Sequence, residues 1–291
     1  MERELWKLLY VLAQEVDKSW GNWLYTASDV LAIYFWAVVH DRPTSWATDP
    51  AQWPDDLRPR RMPTQSTVSR RLRKPETVAL MTEMEDCLLA LVGVAGCLVQ
   101  SIDGKPLTVS NVSKDADASF GRGAGGLQKG YKLHAVWGRS PIPIAWALTP
   151  MNVSEKKMAR SLIPTLPGGG YLLADGNYDA NYLYDLAAKQ GYQLVAKKRK
   201  SRSGGVGHRR QSPSRMRSIA ILRKPFGRDL YKERNSIERQ FGTLSCCSAI
   251  GLGPLPAWVR RFTRVRNWVQ AKLLAAAAHW LVNHQYVLAD A

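Results

Sequence analysis

The sequence has 291 residues, with 41 lysines and arginines against 24 acidic residues and a net charge of +17. Hydrophobic residues make up 45% and charged residues 22%, proportions that exclude a chain disordered throughout. The positive charge favours a polyanionic partner, either nucleic acid or an anionic membrane surface. The longest apolar stretches, 87–99 and 273–282, are shorter than the roughly 20 residues that cross a bilayer, so we expect no transmembrane helix. The acidic N-terminus does not resemble a secretory signal, which predicts a protein that stays inside the cell.

Residues 1–96 are predicted to form a small all-helical domain. Apolar side chains recur at helical spacing over 5–16, which predicts a first amphipathic helix. A second helix is predicted from Ser28, as its N-cap, to Val39.

The segment after Thr64 carries a candidate DNA-binding surface. Thr64 is predicted to cap a short helix in which Val68 and Leu72, four residues apart, face inward. The outer face would then carry Gln65, Ser66, Ser69, Arg70 and Arg73. Short polar and basic side chains of this kind are typical of the recognition helix of a helix-turn-helix. An ordinary solvated basic helix explains the pattern equally well, so both interpretations stay open.

From residue 97 the pattern changes from helices to strands. Strands are predicted at 98–103, 131–137, 142–148, 171–174 and 192–196, with helices at 154–166 and up to 186. Three adjacent strands followed by alternating helix and strand predict an α/β domain, 97–291, built on a mixed sheet with flanking helices.

The last third of the chain is strongly basic. Residues 197–228 are predicted to be a basic loop, because 197–217 contains nine lysines and arginines and no acid. A helix is predicted at 229–244. The segment 254–288 is predicted to form one or two covering helices, and it carries a cluster of arginines at Arg260, Arg261, Arg264 and Arg266.

Three carboxylates lie at informative positions. Asp103 and Asp175 each follow an apolar strand, and Glu238 lies on a predicted helix. Carboxylates at the ends of neighbouring strands can converge, and their oxygens are ligands that hard divalent ions prefer. Each aspartate alone is also explained as a turn residue, because both precede glycine. Asp179 is predicted to cap the following helix rather than to join the site.

Four local motifs, in this order, carry a resemblance to a known family. They are 100–106 around Asp103, 130–134, 172–179 around Asp175, and a Y-x2-R-x3-E signature formed by Tyr231, Arg234 and Glu238. Together they resemble the ribonuclease-H-like catalytic domain of the DDE transposases of bacterial insertion sequences. The resemblance covers about residues 97–250. The fuller family signature ends in a lysine, and the corresponding position here is Ser245.

The resemblance implies an insertion-sequence transposase that works in the bacterial cytoplasm, at the nucleoid. It would bind double-stranded DNA at the element ends through residues 1–96, hydrolyse a phosphodiester bond and transfer the 3′-hydroxyl into target DNA. Cutting two ends together would need at least a homodimer, and no membrane partner is expected. Two alternatives stay open: a nuclease of the same fold without strand transfer, and a DNA-binding regulator with an inactive site.

The resemblance also implies a role for each site residue. The catalytic residues, which would hold two Mg²⁺ or Mn²⁺ ions, are Asp103, Asp175 and Glu238. Further DNA contacts would come from Lys132, Tyr231 and Arg234. On the second strand, Lys132 and His134 are expected to point to opposite faces, so at most one of them can face the site, and we assign Lys132 to it. Arg234 lies four residues before Glu238, so an ordinary salt bridge within a helix explains it as well.

Overall fold

The computed structural model describes residues 1–18, 24–92, 97–123, 125–199, 205–206, 210–246 and 249–284. The chain divides into two compact units. The helical unit consists of Met1–Gly93 and Thr243–Ala291, and the sheet unit consists of Val94–Gly242. Within the described ranges, no helix is both long enough and apolar enough to cross a membrane.

The helical unit is built around two helices that are buried on nearly every side. Its helices are α1 (Glu2–Val16), α2 (Ala27–Val39), α3 (Thr44–Ala47), α4 (Gln65–Arg71), α5 (Pro75–Leu91) and α11 (Phe262–Asn283). Buried side chains occur on all sides of α2 and along most of α11. A helix buried in this way must be packed against other elements on every side. Helix α11 packs against α1, α2 and α5, which supply those neighbours.

This grouping differs from the predicted division of the chain. The prediction assigned the C-terminal helices to the catalytic domain, whereas the structure places α11 among the N-terminal helices. The apolar sequence of α11 indicates that the helix is buried, but it does not indicate which other helices pack against it.

Helix α4 forms as predicted. Thr64 is its N-cap and accepts a hydrogen bond from the Thr67 N–H at 3.3 Å. Val68 and Leu72 are buried beneath it. The outward polar face expected for a recognition helix is therefore present.

Helix α2 begins earlier than predicted. Its N-cap is Thr26 and not Ser28. The Thr26 hydroxyl accepts from the Asp29 N–H at 3.0 Å, and the Asp29 carboxylate accepts from the Thr26 N–H at 2.9 Å. This reciprocal capping box satisfies two backbone donors, which Ser28 could not do from inside the helix.

The sheet unit contains a mixed sheet, as predicted. Its strands are β1 (Val99–Thr108), β2 (Ser119–Gly123), β3 (Gly126–Trp137), β4 (Ala145–Pro150), β5 (Gly170–Ala174) and β6 (Tyr192–Ala196). Strand β1 pairs antiparallel with β3 and parallel with β5, and β6 pairs parallel with β5. Strands β2 and β4 pair with successive parts of β3.

Helices cover both faces of this sheet. They are α6 (Glu155–Leu162), α7 (Asn181–Lys189), α8 (Pro213–Arg223) and α9 (Pro225–Lys232), and α10 (Asn235–Cys246) follows them. Ile102 and Leu172 point to the face covered by α6 and α7. Leu173 and Val195 point to the other face, where Leu230 of α9 covers them. Alternation along the strands thus separates two apolar layers.

Two segments are more regular than predicted. The first strand was expected to end at Asp103, but β1 continues to Thr108 because β3 pairs with it as far as that residue. Strand β2 forms in a stretch for which no strand was predicted, because β3 is long enough to pair with it beyond β4. Both differences arise from pairing between strands that are distant in sequence.

Two predictions in the basic region are corrected. The segment 197–228 was predicted to be a loop, but it contains α8 and the start of α9, while 200–204 and 207–209 lie outside the described residues. The continuous helix predicted at 229–244 is interrupted at Glu233 and Arg234. There, backbone hydrogen bonds join residues three apart rather than four, which tightens the turn and redirects the chain.

Candidate active site

Asp103 and Asp175 lie at equivalent positions of adjacent parallel strands. Strands β1 and β5 are in register as far as the pair Ser101–Leu173. Each aspartate lies two residues beyond that pair, so both side chains share the sheet face that α9 covers. The fold therefore brings the two predicted aspartates side by side.

Burial and like charge make the ionised forms of these aspartates costly. Burial raises the pKa of Asp103 to about 6, although the Gly104 N–H donates to its carboxylate at 2.8 Å and opposes the shift. The charges of Asp175 and Glu155 raise the Asp103 pKa further, while Arg234 lowers it. Burial also raises the pKa of Asp175, and Glu155 adds to that shift. A cation bound here would relieve this repulsion.

Arg234 lies between Asp103 and Glu238. Its Nη1 is 3.7 Å from Asp103 Oδ2, and its Nη2 donates to Glu238 Oε1 at 3.0 Å. The Arg234 side chain is 18% exposed, whereas that of Glu238 is 62% exposed. The salt bridge between these residues, four apart in sequence, is therefore present, although Arg234 precedes the first residue of α10. Through Arg234, Glu238 is linked to Asp103.

Tyr231 ties α9 to the strand that precedes Asp175. Its hydroxyl donates to the carbonyl oxygen of Ala174, the last residue of β5, at 2.9 Å. The Tyr231 ring centroid lies 6.0 Å from the Arg234 guanidinium carbon and 5.3 Å from Lys197 Nζ. Tyr231 was predicted to touch a phosphate, and in this structure its hydroxyl instead contacts the end of β5.

Helix α10 is anchored next to β3. Gln240 Nε2 donates to the Gly138 carbonyl at 2.9 Å, just after β3 ends. The rings of Phe241 and Trp137 meet edge to face, with their centroids 5.9 Å apart. These contacts fix the helix that carries Glu238 beside the sheet.

Lys132 lies on the opposite sheet face from Asp103. Asp103 pairs with Ala135, and Lys132 is three residues before Ala135, so its side chain projects the other way. Its Nζ is 3.0 Å from Glu155 Oε1, at the start of α6. The expectation that Lys132 and His134 point to opposite faces is wrong, because residues two apart on β3 share one face of the sheet.

Glu155 and Tyr178 lie near enough to the two aspartates to interact with them electrostatically, and both were missed from the sequence. Burial raises the pKa of Tyr178 well above its usual value, and the charges of Asp103, Glu155 and Asp175 raise it further. Tyr178 lies in the motif that begins at Asp175, and Glu155 directly follows a predicted helix cap. Both residues approach the aspartates only because of how the strands pair, so their positions in the sequence gave little indication that they lie near the site.

Asp179 does not cap α7, contrary to the prediction. The N-cap of α7 is Ala180, which has no side chain able to cap. The Asp179 carboxylate instead accepts hydrogen bonds from Arg215 Nε at 2.6 Å and Arg215 Nη2 at 2.8 Å. It also accepts from the Arg199 N–H at 2.9 Å.

The side chains at this site suit a divalent ion in part. Asp103 and Asp175 offer adjacent, mutually repelling oxygen ligands of the kind that Mg²⁺ binds. Among the described residues, however, no group of three acidic, histidine or cysteine side chains lies close enough to hold a metal ion. Glu238 is engaged by Arg234, so it would have to leave that arginine to become a third ligand.

Four of the side chains predicted to read DNA lie on the outer face of α4, and the fifth, Arg73, lies just after the helix ends. Gln65, Ser66, Arg70 and Arg73 are exposed, and Ser69 is partly buried. The Gln65 amide nitrogen donates to the Ser69 hydroxyl at 3.0 Å. Their exposure agrees with the predicted helix, and their contact with DNA stays a prediction.

The strand order and the paired aspartates define a mixed α/β protein of the ribonuclease-H-like class. A family model described as a transposase DDE domain matches residues 98–247, a range that contains Asp103, Asp175 and Glu238. This match covers just over half of the chain, and the chain belongs to that family. No curated protein matches the chain.

Membership in this family has chemical consequences. It implies a DNA substrate and an activity of the nuclease or transferase type. Enzymes of the family generally use divalent metal ions. These properties agree with the oxygen ligands on β1 and after β5, and with the positive charge of the chain.

Proposed function

We propose that this protein is the transposase of a bacterial insertion sequence, acting on chromosomal DNA in the cytoplasm, at the nucleoid. It binds the element ends, hydrolyses a phosphodiester bond at each end, and joins the freed 3′-hydroxyl to target DNA. Two ends cut together require at least two copies, so we infer a homodimer in the active complex.

The observation that carries this proposal is the register of Asp103 and Asp175. Adjacent parallel strands hold the two carboxylates rigidly, and their raised pKa values reflect a shared, partly buried environment. Divalent ions held by these aspartates and by Glu238, Mg²⁺ or Mn²⁺, would polarise the attacking oxygen and stabilise the leaving oxygen.

Both reaction steps are displacements at phosphorus. In hydrolysis, a water oxygen loses a proton and bonds to phosphorus while the bond from phosphorus to the 3′ oxygen breaks. The leaving 3′ oxygen takes up a proton and becomes a 3′-hydroxyl. In joining, the same 3′ oxygen bonds to a target phosphorus and displaces a target 3′ oxygen. Neither step needs a covalent bond to the protein.

Arg234 can exchange its carboxylate partners for a phosphate. Its guanidinium now faces Asp103 and Glu238, and its fork of donors also matches two phosphate oxygens. When Arg234 turns to the phosphate beside the scissile bond, Glu238 is released toward the aspartates. Tyr231 meanwhile holds the end of β5, and thereby Asp175, in place.

The remaining DNA contacts are assigned to the outer face of α4 and to Arg73, which follows it. Gln65, Ser66 and Ser69 would meet base edges, while Arg70 and Arg73 would meet phosphates. Lys132 as a DNA contact stays a prediction, since its ammonium is paired with Glu155.

The decisive experiment compares two isosteric variants in a cleavage assay. The substrate is a labelled duplex carrying the sequences that flank the gene, incubated with Mg²⁺ or with EDTA. We expect Asp175→Asn to lower the rate on the order of 10³-fold, because it removes a metal-binding charge worth several kcal/mol. The matched control is Asp185→Asn, an exposed carboxylate on α7, which should cut like the unaltered chain.

Each of the other outcomes would contradict part of the proposal or indicate a different function. Equal cutting by Asp175→Asn would contradict the assigned site. Cutting without integration of the labelled end into a plasmid would indicate a nuclease of the same fold. Binding of the ends without cutting, in Mg²⁺ and in EDTA alike, would indicate a regulator, which Ser245 in place of the family lysine would then explain.

A further inference from the structure

A cavity of about 200 Å³ opens in the helical unit. Its lining comes from three separate parts of that unit: α2 with the residues just after it, helix α4 with the residues that follow it, and α11 with the segment before it. Each part contributes one arginine, namely Arg42, Arg73 and Arg264. Among the described residues that line the cavity, none is an aspartate or a glutamate.

These three arginines have no anionic partner within the described part of the chain. None of their side chains takes part in a hydrogen bond or an ion pair with a described residue. All three are exposed. Like charges repel one another, so three guanidinium groups around one cavity, with no carboxylate among them, favour the binding of an anion.

The walls of the cavity are held together by a buried amide. Asn267 of α11 is 3% exposed, and its Nδ2 donates to the Leu72 carbonyl at 2.9 Å. Leu72 follows the last residue of α4, so this bond fixes the C-terminal end of α4 against α11. Arg73 follows Leu72 and Arg264 lies on α11, so this bond joins the two chain segments that carry these arginines.

The size of the cavity restricts its ligand. Pockets for drug-sized molecules commonly measure about 300–1,000 Å³, so this cavity suits a smaller group. A single phosphodiester matches both the volume and the charge, because arginine forks bind phosphate oxygens in pairs. Trp258, which is 41% exposed, supplies a flat apolar wall against which the attached sugar can pack.

The cavity is continuous with the outer face of α4. Gln65 and Ser69, two side chains predicted to read DNA, line it together with Arg73. A duplex lying on that face would bring its backbone to the cavity mouth. Arg42 and Arg264 lie outside α4, so they would add contacts that a recognition helix alone does not provide.

We propose that this cavity binds one backbone phosphate of the duplex that α4 reads, and that Arg42 and Arg264 complete the contact. The inference rests on the proposed DNA-binding function of α4 and extends the DNA surface to the C-terminal helix. A free phosphate ion shares the same chemistry, and the test below separates the two sources.

The test measures how salt weakens DNA binding by the full chain. Affinity for a labelled duplex carrying the flanking sequences is followed by fluorescence anisotropy over a series of KCl concentrations. We expect Arg42→Ala and Arg264→Ala each to weaken binding on the order of ten-fold at low salt and to reduce the slope of log K against log[KCl] by about one, because one phosphate contact is lost. The control is Arg3→Ala, an exposed arginine on α1 that lies outside the cavity, which should leave the slope unchanged.

Folding and the identity of the anion are checked separately. Because Arg42 and Arg264 are exposed, the variants should keep the melting temperature of the unaltered chain. If the unaltered chain binds DNA and both variants keep its slope, the inference is overturned while the proposed function stands. If calorimetry with inorganic phosphate shows a site that Arg264→Ala removes while the DNA slope is unchanged, the cavity binds a free anion and the DNA assignment is overturned. If the unaltered chain binds no duplex at all, the proposed function itself fails, and this inference fails with it.

Discussion

Asp103 is destabilising to the folded protein when its carboxylate is ionised. Burial raises its pKa to about 6 from a usual value of 3.8, so the folded chain binds this proton more tightly than the unfolded chain does. The stabilising effect of protonation is present at low pH and is lost as pH rises through about 4 to 6. At neutral pH, ionised Asp103 therefore opposes folding.

We expect Asp103→Asn to be more stable than the unaltered chain at pH 7.5 in EDTA, by on the order of 2 to 3 kcal/mol. The variant keeps an oxygen that can accept the Gly104 N–H but cannot ionise. Urea unfolding at pH 7.5 and at pH 4.5 measures the difference, which should shrink at the lower pH. The control, Asp185→Asn, alters an exposed carboxylate and should change stability little. A less stable Asp103→Asn at pH 7.5 would contradict the assigned cause of the pKa shift.

The site was predictable from the sequence only where its residues lie in local motifs. Asp103 and Asp175 follow apolar runs, so their juxtaposition could be expected from the parallel pairing of their strands. Arg234 and Glu238 are four residues apart, and the sequence already allowed their salt bridge. Glu155 could not be placed, because its approach to the aspartates depends on where α6 lies after the β3–β4 hairpin.

At the scale of elements, an ion pair links α8 to the turn that follows Asp175. The link is the ion pair between Asp179, whose side chain is 2% exposed, and Arg215, whose side chain is 10% exposed. Burial alone would raise the pKa of Asp179, but hydrogen bonds from Arg215 and from the Arg199 N–H outweigh it and hold that pKa below its usual value. The ion pair with Arg215 of α8 thereby stabilises the turn that follows Asp175.

We expect Asp179→Ala to lower the free energy of unfolding by about 3 to 5 kcal/mol, because it leaves the Arg215 guanidinium buried without its partner. Urea unfolding measures the loss. Replacing both residues, as Asp179→Leu with Arg215→Met, should restore part of it, since the unpaired charge is then absent.

A surface pair provides the matched comparison for this prediction. Asp229 and Lys232 are 2.7 Å apart, but their side chains are 70% and 75% exposed. Asp229→Ala should therefore lower the free energy of unfolding far less than Asp179→Ala does. Similar losses for Asp179→Ala and Asp229→Ala would show that burial of the Asp179–Arg215 pair has no energetic consequence.

Elements were predictable where the signal lies within the element. The cap at Thr64 and the buried pair Val68 and Leu72 correctly predicted α4. Helix α8 was missed because its neighbours in sequence are basic and polar, and because its stabilising partner Asp179 lies far back along the chain. The break at Arg234 was missed because the apolar spacing on either side of it fits one continuous helix.

At the scale of the whole molecule, the helical unit is assembled from both ends of the described chain. Helix α11 buries most of its side chains against α1, α2 and α5. A fragment of residues 1–93 would therefore expose the apolar surfaces that α11 covers. The expectation that 1–96 forms a domain of its own does not include this helix.

We expect the fragment 1–93 to lack a cooperative thermal transition by circular dichroism, because the apolar surface it cannot bury removes most of its stability. A second fragment, in which a flexible glycine-serine linker joins 1–93 to 243–284, should regain that transition. If 1–93 alone melts cooperatively at the same temperature as the linked fragment, α11 is not required for the fold.

The position of α11 also determines when the helical unit can form during translation. Domains usually fold as the ribosome releases them, at about 5 to 20 residues per second. Here the first helices emerge on the order of tens of seconds before α11 is made. Until then their apolar faces are available to chaperones and to other nascent chains. A truncated product that ends within the sheet unit would lack α11 and would leave these apolar faces uncovered permanently.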